Sequence, residues 1–403
     1  MRIVVDAFGS DTCPGPDVAG AVLAAREWAR AGSQDEIILV GPEERTRAEL
    51  AKHDIQGLNI RLVHAPDVLT MADHAEEVRD KENSSIRVGM RMVKNDEADA
   101  FVSAGNTIAC LSAAIFDLRR IPGIRRPALA TIYPLSLQPA VFLDMGATAD
   151  PKPEYLLQFA HMGIIYAEKI LGISNPRVGL LANGEEEEKG TMVLRDTFAL
   201  FSQSGFNFVG NVEPKEAVKG HADVIVTDGF TGNIHIKTAE AVVSYIKLIV
   251  KHDVLSSVLA KVGLVLLLPA LLVALPGWLC LWPALKKLIK RLDYAEVGGS
   301  LLLGVDGVVI VGHGRSNAKA VQSAIRRGRE AVAAQIIPTI KSGLETPSVN
   351  SVSSVAKNAQ ITPTIKSGLE TPSVNSVSSV AKNAQITPTI KSGLETDRRG
   401  SRA

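Results

Sequence analysis

Three apolar runs in this chain end in the same way, and that shared ending restricts the fold more than any other feature. Residues 98–114, ADAFVSAGNTIACLSAA, read as a buried strand over 100–103 that turns at Gly105, Asn106 and Thr107 into a helix of small residues. Residues 223–237, DVIVTDGFTGNIHIK, run from a strand into Asp228, Gly229, Gly232 and Asn233. Residues 307–320, GVVIVGHGRSNAKA, run from a strand into Gly312, Gly314, Ser316 and Asn317. A strand that feeds a helix through glycine and a short polar side chain leaves free N–H groups and the positive end of the helix facing outward, which suits an anion. Open parallel sheets bind ligands outside the carboxyl ends of their strands, so the three turns predict one shared site. The alternative for each is an ordinary strand-to-helix turn.

The rest of the chain alternates in the same manner. Strands are expected at 2–6, 36–40, 60–63, 128–132, 139–143, 177–181 and 206–210, with a further one within 304–312. Helices are expected at 17–31, 43–53, 79–95, from the Gly105-Asn106-Thr107 turn to about 118, 153–171 and 191–203. Strands separated by helical stretches make a mainly parallel sheet, so the predicted class is α/β, layered helix on sheet on helix. More polar turns fall at predicted strand ends: Asp6, Gly9 and Asp11 after the first, Asp144, Gly146, Asp150 and Lys152 within LDMGATADPKP, and four glutamates followed by Lys189 within GLLANGEEEEKG. A charge run is as well explained by a solvated face as by function.

Composition removes several classes of function. A net charge of +1 with 4% aromatic residues leaves neither the basic stripe nor the stacking platforms that nucleic acid needs. Cys13, Cys110 and Cys280 are scattered without metal-ligand spacing to one another or to the eight histidines, so no metal is expected and a reducing cytosol fits. No G-x-G-x-x-G with a following acidic residue opens a strand–helix unit, which argues against a dinucleotide cofactor. The opening MRIVVDAFGSD has too short an apolar run for a signal peptide.

Collinear motifs carry a family resemblance. DAFGSD (6–11), RDKENSSIRVG (79–89), ADAFVSAGNT (98–107), LDMGATADPKP (143–153), NPRVGLLANGEEEEKG (175–190), FVGNVE (208–213), ADVIVTDGFTGNIHIKT (222–238) and LLGVDGVVIVGHGRSNAKA (302–320) resemble, in order and spacing, the bacterial fatty acyl-acyl carrier protein:phosphate acyltransferases of phospholipid synthesis. The resemblance spans roughly residues 1–330. It implies a homodimer in the cytoplasm, peripheral to the inner face of the membrane, that makes acyl phosphate from inorganic phosphate and an acyl carrier protein thioester. A membrane glycerol-3-phosphate acyltransferase would take the product. The implied fold is similar to those of phosphate acetyltransferases and isocitrate-type dehydrogenases. The chain departs from the family pattern at Ser10, Ile108, Thr148 and Ala182-Asn183, each within a site loop. A dehydrogenase on the related fold, or a membrane platform that docks acyl carrier protein without catalysis, are the other readings.

The chemistry of phosphate attacking a thioester calls for a dianion cradle and a donor to the developing oxyanion. It calls for no strong base and no cofactor, because phosphate is already half deprotonated near neutral pH. Lys189 is the expected charge neutraliser. Asn106 and Asn233 are expected to orient phosphate or hold the oxyanion, a role worth roughly 3 kcal/mol per donor. Asp228 would position Lys189 or an amide, and His313 is a proton donor to the leaving thiolate or a structural histidine. Ser103, Gly105, Thr107, Gly229, Gly232, Gly314 and Ser316 complete the expected phosphate cradle. Cys110 sits inside a predicted helix without a flanking base and is not expected to be a nucleophile. The pairs Arg119-Arg120 and Arg125-Arg126 form a basic loop suited to acidic acyl carrier protein, or a solvated turn.

Residues 262–285 carry no charge and are long enough to span a bilayer. A single crossing would separate strands of one sheet, and Pro269, Pro276 and Pro283 interrupt the run, so a protruding helical hairpin over 255–292 is expected instead. Leu285, Leu288, Ile289 and Leu292 on one helical face, with Lys286, Lys287, Lys290 and Arg291 on another, suit an anionic membrane surface. Buried dimer helices are the alternative. Beyond residue 335 a 25-residue unit recurs: 336–360, then 361–385 with Thr362 for Ile337, then a truncated copy ending at Thr396. Rich in Ser, Thr, Asn and Pro, this stretch is expected to be a disordered tail outside the 1–335 catalytic domain.

Overall fold

The computed structural model describes residues 1–133, 136–249, 252, 258–273, 275–291 and 298–345. The chain opens with β1 (Arg2–Asp6), α1 (Gly15–Arg30), β2 (Glu36–Gly41), α2 (Glu43–Leu50) and β3 (Ile60–His64). Then come α3 (Ala75–Asp80), α4 (Ser85–Lys94), β4 (Ala100–Ser103) and α5 (Thr107–Ala113). The middle holds β5 (Ala128–Ile132), β6 (Val141–Leu143), α6 (Pro153–Tyr166), β7 (Val178–Leu181), α7 (Met192–Ser202), β8 (Phe208–Val212), α8 (Pro214–Lys219) and β9 (Val224–Val226). Three consecutive helices follow, α9 (Gly229–Ile249), α10 (Val258–Val273) and α11 (Leu275–Arg291), before β10 (Ser300–Leu303), β11 (Val308–Val311), α12 (Ala318–Ala333) and α13 (Ile336–Glu345).

All the described strands join one 11-stranded sheet in the order β3-β2-β1-β4-β11-β10-β5-β6-β9-β7-β8. Most are buried on both faces, which is why they read as unbroken apolar runs. One face packs on α1, α6, α7, α12 and α13 through Val18, Phe159, Phe201, Ile325 and Ile336. The other packs on α4 and α5 through Ile86, Met90 and Cys110, and on α8 and the start of α9 through Ala217 and Ile236. This is the expected three-layer α/β/α fold.

Its sheet contains a reversal that the strand pattern does not announce. β10 runs antiparallel to β11 and to β5, and β5 runs antiparallel to β6. The parallel block β3-β2-β1-β4-β11 therefore opposes the parallel block β6-β9-β7-β8. Twist partly undoes the opposition. At roughly 20–25° per neighbouring pair, the five steps from β4 to β9 turn the strand axis by about 100–125°, which leaves reversed β9 within about 55–80° of the direction of β4.

Several expectations are corrected. The single helix over 79–95 is two, because Ser84 is extended (ψ 150°) and fully buried where it starts α4. The strand within 304–312 is β11, and a further strand ahead of it, β10, pairs back on it antiparallel after the left-handed Gly304. The strand at 206–210 lies two residues later, as β8. Residues 336–345 belong to the core and not to a tail: Ile336 and Ile340 are 0% exposed and Ile337 5%. The remainder of the repeats, and the expectation that they are disordered, lie outside the described residues.

Within 255–292 the chain forms two helices, α10 and α11. Among the described residues no helix is long and apolar enough to cross a membrane. Of the basic amphipathic face expected near 285–292, the side chains of 287–292 lie outside those described. Exposed apolar side chains are concentrated on α9–α11, including Tyr245, Leu248, Leu259, Val265, Leu266, Trp278, Leu281 and Trp282.

Candidate active site

The carboxyl ends of β1, β4 and β11 meet in one polar corner. Ser103 Oγ donates to Asp6 Oδ2 (2.7 Å) and accepts from the Gly105 amide (3.0 Å), while Asp6 Oδ1 accepts from the Phe8 amide (3.0 Å). Burial drives the Asp6 carboxyl above its ordinary range, against the pull of the Ser103, Ser85 and Phe8 hydrogen bonds. A methyl group on Gly9 would stand 2.8 Å from the Ala104 nitrogen, so only glycine lets the first turn lie this close to the second. The third turn is tied in by Gly312 N–H to Ser103 O (2.7 Å) and Asp11 N–H to Gly314 O (2.7 Å). Ser316 closes it, its amide donating to His313 O (2.9 Å).

Asn106 does a different job from a free oxyanion donor. Its Oδ1 caps α5 by accepting from the Ile108 and Ala109 amides (2.9 and 3.2 Å), and its Nδ2 donates to Asp73 O (2.9 Å). The side chain thus pins the 70–73 segment over the start of α5. Thr107 stands half-buried in the first turn of that helix.

A second corner forms where β6 and β9 end, and it is organised by Asp144. This fully buried carboxylate accepts four backbone amides, from Leu129 (2.9 Å), Gly146 (3.1 Å) and Ala147 (3.0 Å) on Oδ1 and from Thr148 (2.7 Å) on Oδ2. Burial pushes its pKa up to about 6, with those four donors pulling the other way. The loop it curls meets the beginning of α9. Gly229 N–H donates to Thr148 O (2.8 Å), and a methyl on Gly232 would fall 1.9 Å from Asp144 O. Asp228 starts the helix, its Oδ1 accepting from the Thr231 amide (2.8 Å) and its carbonyl from Gly232 (2.9 Å). Asn233 lies exposed beside Gly146, with Nδ2 3.7 Å from where a Cβ of Gly146 would be.

Helix α9 links the corners. From its root at the Asp144 loop it carries Glu240 to His313, Oε1 to Nε2 3.8 Å, with Lys237 nearby. Eleven residues of helix from Gly229 to Glu240 cover about 16 Å. Burial holds the His313 pKa below its usual value; Glu240 raises it and Lys237 lowers it further. On the inner side of the same helix, His235 Nε2 pairs with the Tyr133 hydroxyl (2.8 Å) and its ring stacks on Phe142 at 5.3 Å. Burial favours neutral His235 and pushes Tyr133 up to about 12, so that pair is a neutral hydrogen bond near pH 7.

Lys189 stands on the loop after β7. Its aliphatic stem lies over Gly184, and the Asn211 side chain holds the loop by donating to Glu186 O (2.7 Å). Among the described residues no hydrogen bond or ion pair occupies the exposed Lys189 ammonium. The three predicted turns therefore resolve into two corners. Ser103, Gly105, Asn106, Thr107, His313, Gly314 and Ser316 share one, and Asp228, Gly229, Gly232 and Asn233 the other. Asp144, His235 and Glu240 were not singled out as site residues by sequence. Nothing local to Glu240 marks a partner 73 positions away. Among the described residues no group of three or more His, Cys, Asp or Glu side chains is placed to hold a metal ion.

The profile of the family described as "Fatty acid synthesis protein" matches residues 1–339, which include every residue of both corners and α9. The chain belongs to this family. A protein of Herpetosiphon aurantiacus named phosphate acyltransferase is 47% identical over 368 residues, covering 86% of this chain and 98% of its own. One of the same name from Pelotomaculum thermopropionicum is 46% identical over 350 residues, covering 87% of this chain and 96% of its own. Among solved structures, a phosphotransacetylase from Streptococcus pyogenes superposes with a TM-score of 0.50 at 18% identity, over 84% of this chain and 94% of its own. That likeness places the α/β fold of this family member beside the phosphotransacetylases and says nothing by itself of substrate.

Proposed function

We propose that this acyltransferase moves a fatty acyl group from the thioester of acyl carrier protein to inorganic phosphate, releasing acyl phosphate for phospholipid synthesis. The observation that carries the reading is the nearly full-length match to proteins named phosphate acyltransferase, with both corners and α9 inside the matched residues. In the reaction, a phosphate oxygen attacks the thioester carbonyl and forms the new C–O bond. Collapse of the tetrahedral intermediate then breaks the C–S bond, and the carrier leaves as thiolate and takes up a proton.

The geometry supports the following parts for the residues. Lys189, exposed and unoccupied among the described residues, neutralises the dianion. Asn233, exposed over the Asp144 loop, donates to phosphate or to the oxyanion, and Asp228 with Gly229 and Gly232 fixes the helix start that carries it. Ser103, Gly105, Thr107, Gly314 and Ser316 shape the facing wall, which Asn106 supports by capping α5. His313, kept neutral by burial, serves the leaving sulfur as a hydrogen-bond donor and not as a fixed cation.

Features of the surface support the partners. Buried Ile121 and Ile124 anchor the loop that exposes Arg119, Arg120, Arg125 and Arg126, a rigid basic edge for the acidic carrier protein. The exposed Leu, Val and Trp side chains of α10 and α11 rest on the cytoplasmic face of the membrane without crossing it, where a glycerol-3-phosphate acyltransferase would receive the product. The enzyme works as a homodimer, as the family resemblance implies.

The deciding assay mixes the protein with acyl-acyl carrier protein and phosphate and traps acyl phosphate with hydroxylamine. Hydroxamate that depends on both substrates supports the proposal. Thiol release without hydroxamate would make it a thioesterase, and turnover only with a coenzyme A thioester would remove the carrier protein.

A further inference from the structure

The loop that carries Lys189 is held from outside by a residue of the edge strand. Asn211, in β8 beside Leu180 of β7, donates from Nδ2 to Glu186 O (2.7 Å), and the Lys189 amide donates to the same carbonyl (3.1 Å). One oxygen therefore joins the Asn211 side chain to the Lys189 backbone. The loop is fixed at its ends as well. Ala182 N–H donates to Val212 O (3.1 Å), and after the left-handed Gly190 (φ 90°) the Thr191 hydroxyl caps α7 by accepting from the Leu194 amide (3.3 Å). Between them, a methyl on Gly184 would lie 2.7 Å from Lys189 Cγ, so glycine leaves the lysine stem its place. β7 also pairs with β9, Leu180 beside Val226, so this loop starts next to the strand that leads into Asp228.

Asn211 is a poor choice for stability alone. It is 7% exposed, and its Oδ1 is buried with no hydrogen-bond partner among the described residues. A buried acceptor left unpaired destabilises a fold. Glu186 O would keep the Lys189 amide even without Asn211, and a leucine of similar volume would remove the unpaired oxygen. What the asparagine adds is its hold on Glu186, and the neighbouring sequence shows why a hold is needed. Glu185, Glu186, Glu187 and Glu188 run directly into Lys189, and in a slack loop the ammonium would close on one of these carboxylates. Lys215 does sit among carboxylates, those of Glu213 (2.6 Å), Glu216 (3.6 Å) and Glu185 (4.0 Å). Among the described residues none pairs with Lys189.

We infer that Asn211 is a positioning residue for phosphate binding: by pinning Glu186 it keeps the Lys189 ammonium clear of the adjacent glutamates and available to a dianion beside the second corner. The inference rests on the reading that Lys189 neutralises phosphate. Asn211 acts through Lys189 and touches no reactant.

The test is melting and steady-state kinetics of the full chain carrying Asn211→Leu, Lys189→Ala or both, with phosphate and acyl-acyl carrier protein varied in turn. Asn211→Leu should melt at or above the parent temperature and raise the phosphate KM severalfold, while the carrier protein KM stays within about twofold. Asn211→Asp, close in shape but without the donor, should raise the phosphate KM likewise. In the Lys189→Ala background, Asn211→Leu should change the phosphate KM by less than about twofold, because no ammonium is left to place. A phosphate KM unchanged in both Asn211 variants, while Lys189→Ala raises it, would overturn the inference and leave the role of Lys189 standing. Defects that multiply in the double variant, an equal rise in both KM values, or an Asn211→Leu chain that melts well below the parent would overturn it too. If Lys189→Ala itself leaves phosphate kinetics unaltered, the reading of Lys189 falls and the inference with it.

Discussion

Replacing Gly232 with alanine puts a methyl group where the carbonyl of Asp144 already stands. The ideal Cβ falls 1.9 Å from that oxygen, and real Cβ contacts essentially never lie under 3.0 Å, so one backbone must retreat by about 1.1 Å. Neither side yields easily. Gly232 is in the first turn of α9, and Asp144 is locked by the four amides its own carboxylate accepts. A hydrogen bond to a charged group contributes about 1.5–3 kcal/mol, so loosening two of the four costs about 3–6 kcal/mol. Alanine returns about 1 kcal/mol of helix propensity, which leaves a net loss of about 2–5 kcal/mol. At about 2 °C per kcal/mol for a chain of this size, the melting temperature should fall by roughly 4–10 °C. The same displacement carries Asn233 off the Gly146 loop, and a misplacement near 1 Å should lower acyl phosphate formation by about a hundredfold. Gly172→Ala is the control: it is left-handed (φ 68°) but has nothing within 4 Å of its Cβ, so it should lose about 1–2 kcal/mol and no activity. A Gly232→Ala protein that melts like Gly172→Ala and turns over within twofold of the parent would refute the account of this corner.

Other outcomes are expected. Asp17, 1% exposed beside Ser10, has its pKa pushed up to about 7 mainly by burial, so its proton is held more tightly folded than unfolded; stability should fall as pH rises from about 4 to about 7, by up to roughly 4 kcal/mol, and Asp17→Asn should flatten that slope in urea unfolding. Ending the chain after Gln335 removes Ile336, Ile337 and Ile340 from the core at about 1.5–3 kcal/mol each before ordering costs, and should lower the melting temperature where ending after Glu345 does not. Lys189→Ala should raise the phosphate KM severalfold or more with an unchanged melt; unaltered phosphate kinetics would take it out of the site. Leu266→Glu and Trp282→Glu should each weaken flotation with anionic liposomes, and salt should weaken the parent's; flotation that both substitutions leave intact would place the contact elsewhere.

The strands were legible because burial on both faces leaves runs such as RIVVD and VVIV with no polar position in their interior. Their directions were not. An apolar run looks the same whichever way its neighbour points, so the reversal through β10, β5 and β6 became visible only in the pairing. The turns were legible as turns, since Gly, Asn and Asp at strand ends have local causes. Their grouping was not, because Asp144 meets Gly232 and Glu240 meets His313 across 88 and 73 positions of sequence. α13 was misread for a third reason. The repeat's polar composition averages over 25 residues, whereas the fold uses ten of them, whose isoleucines line one helical face.

The place of β11 in the sheet bears on how the protein is made. β4 is flanked by β1 on one side and β11 on the other, yet β11 is translated about 200 residues after it. At about 5–20 residues per second, a ribosome leaves that flank of β4 without a partner for about 10–40 s, while the whole opposed block is being synthesised. An apolar, unpaired edge is the surface that strays into another nascent chain or into a holding chaperone. The amino-terminal half thus cannot complete its own sheet. Cutting the coding sequence between the blocks should yield two insoluble pieces, and co-expressing them should recover protein only if the β10–β11 hairpin reaches β4 before aggregation does.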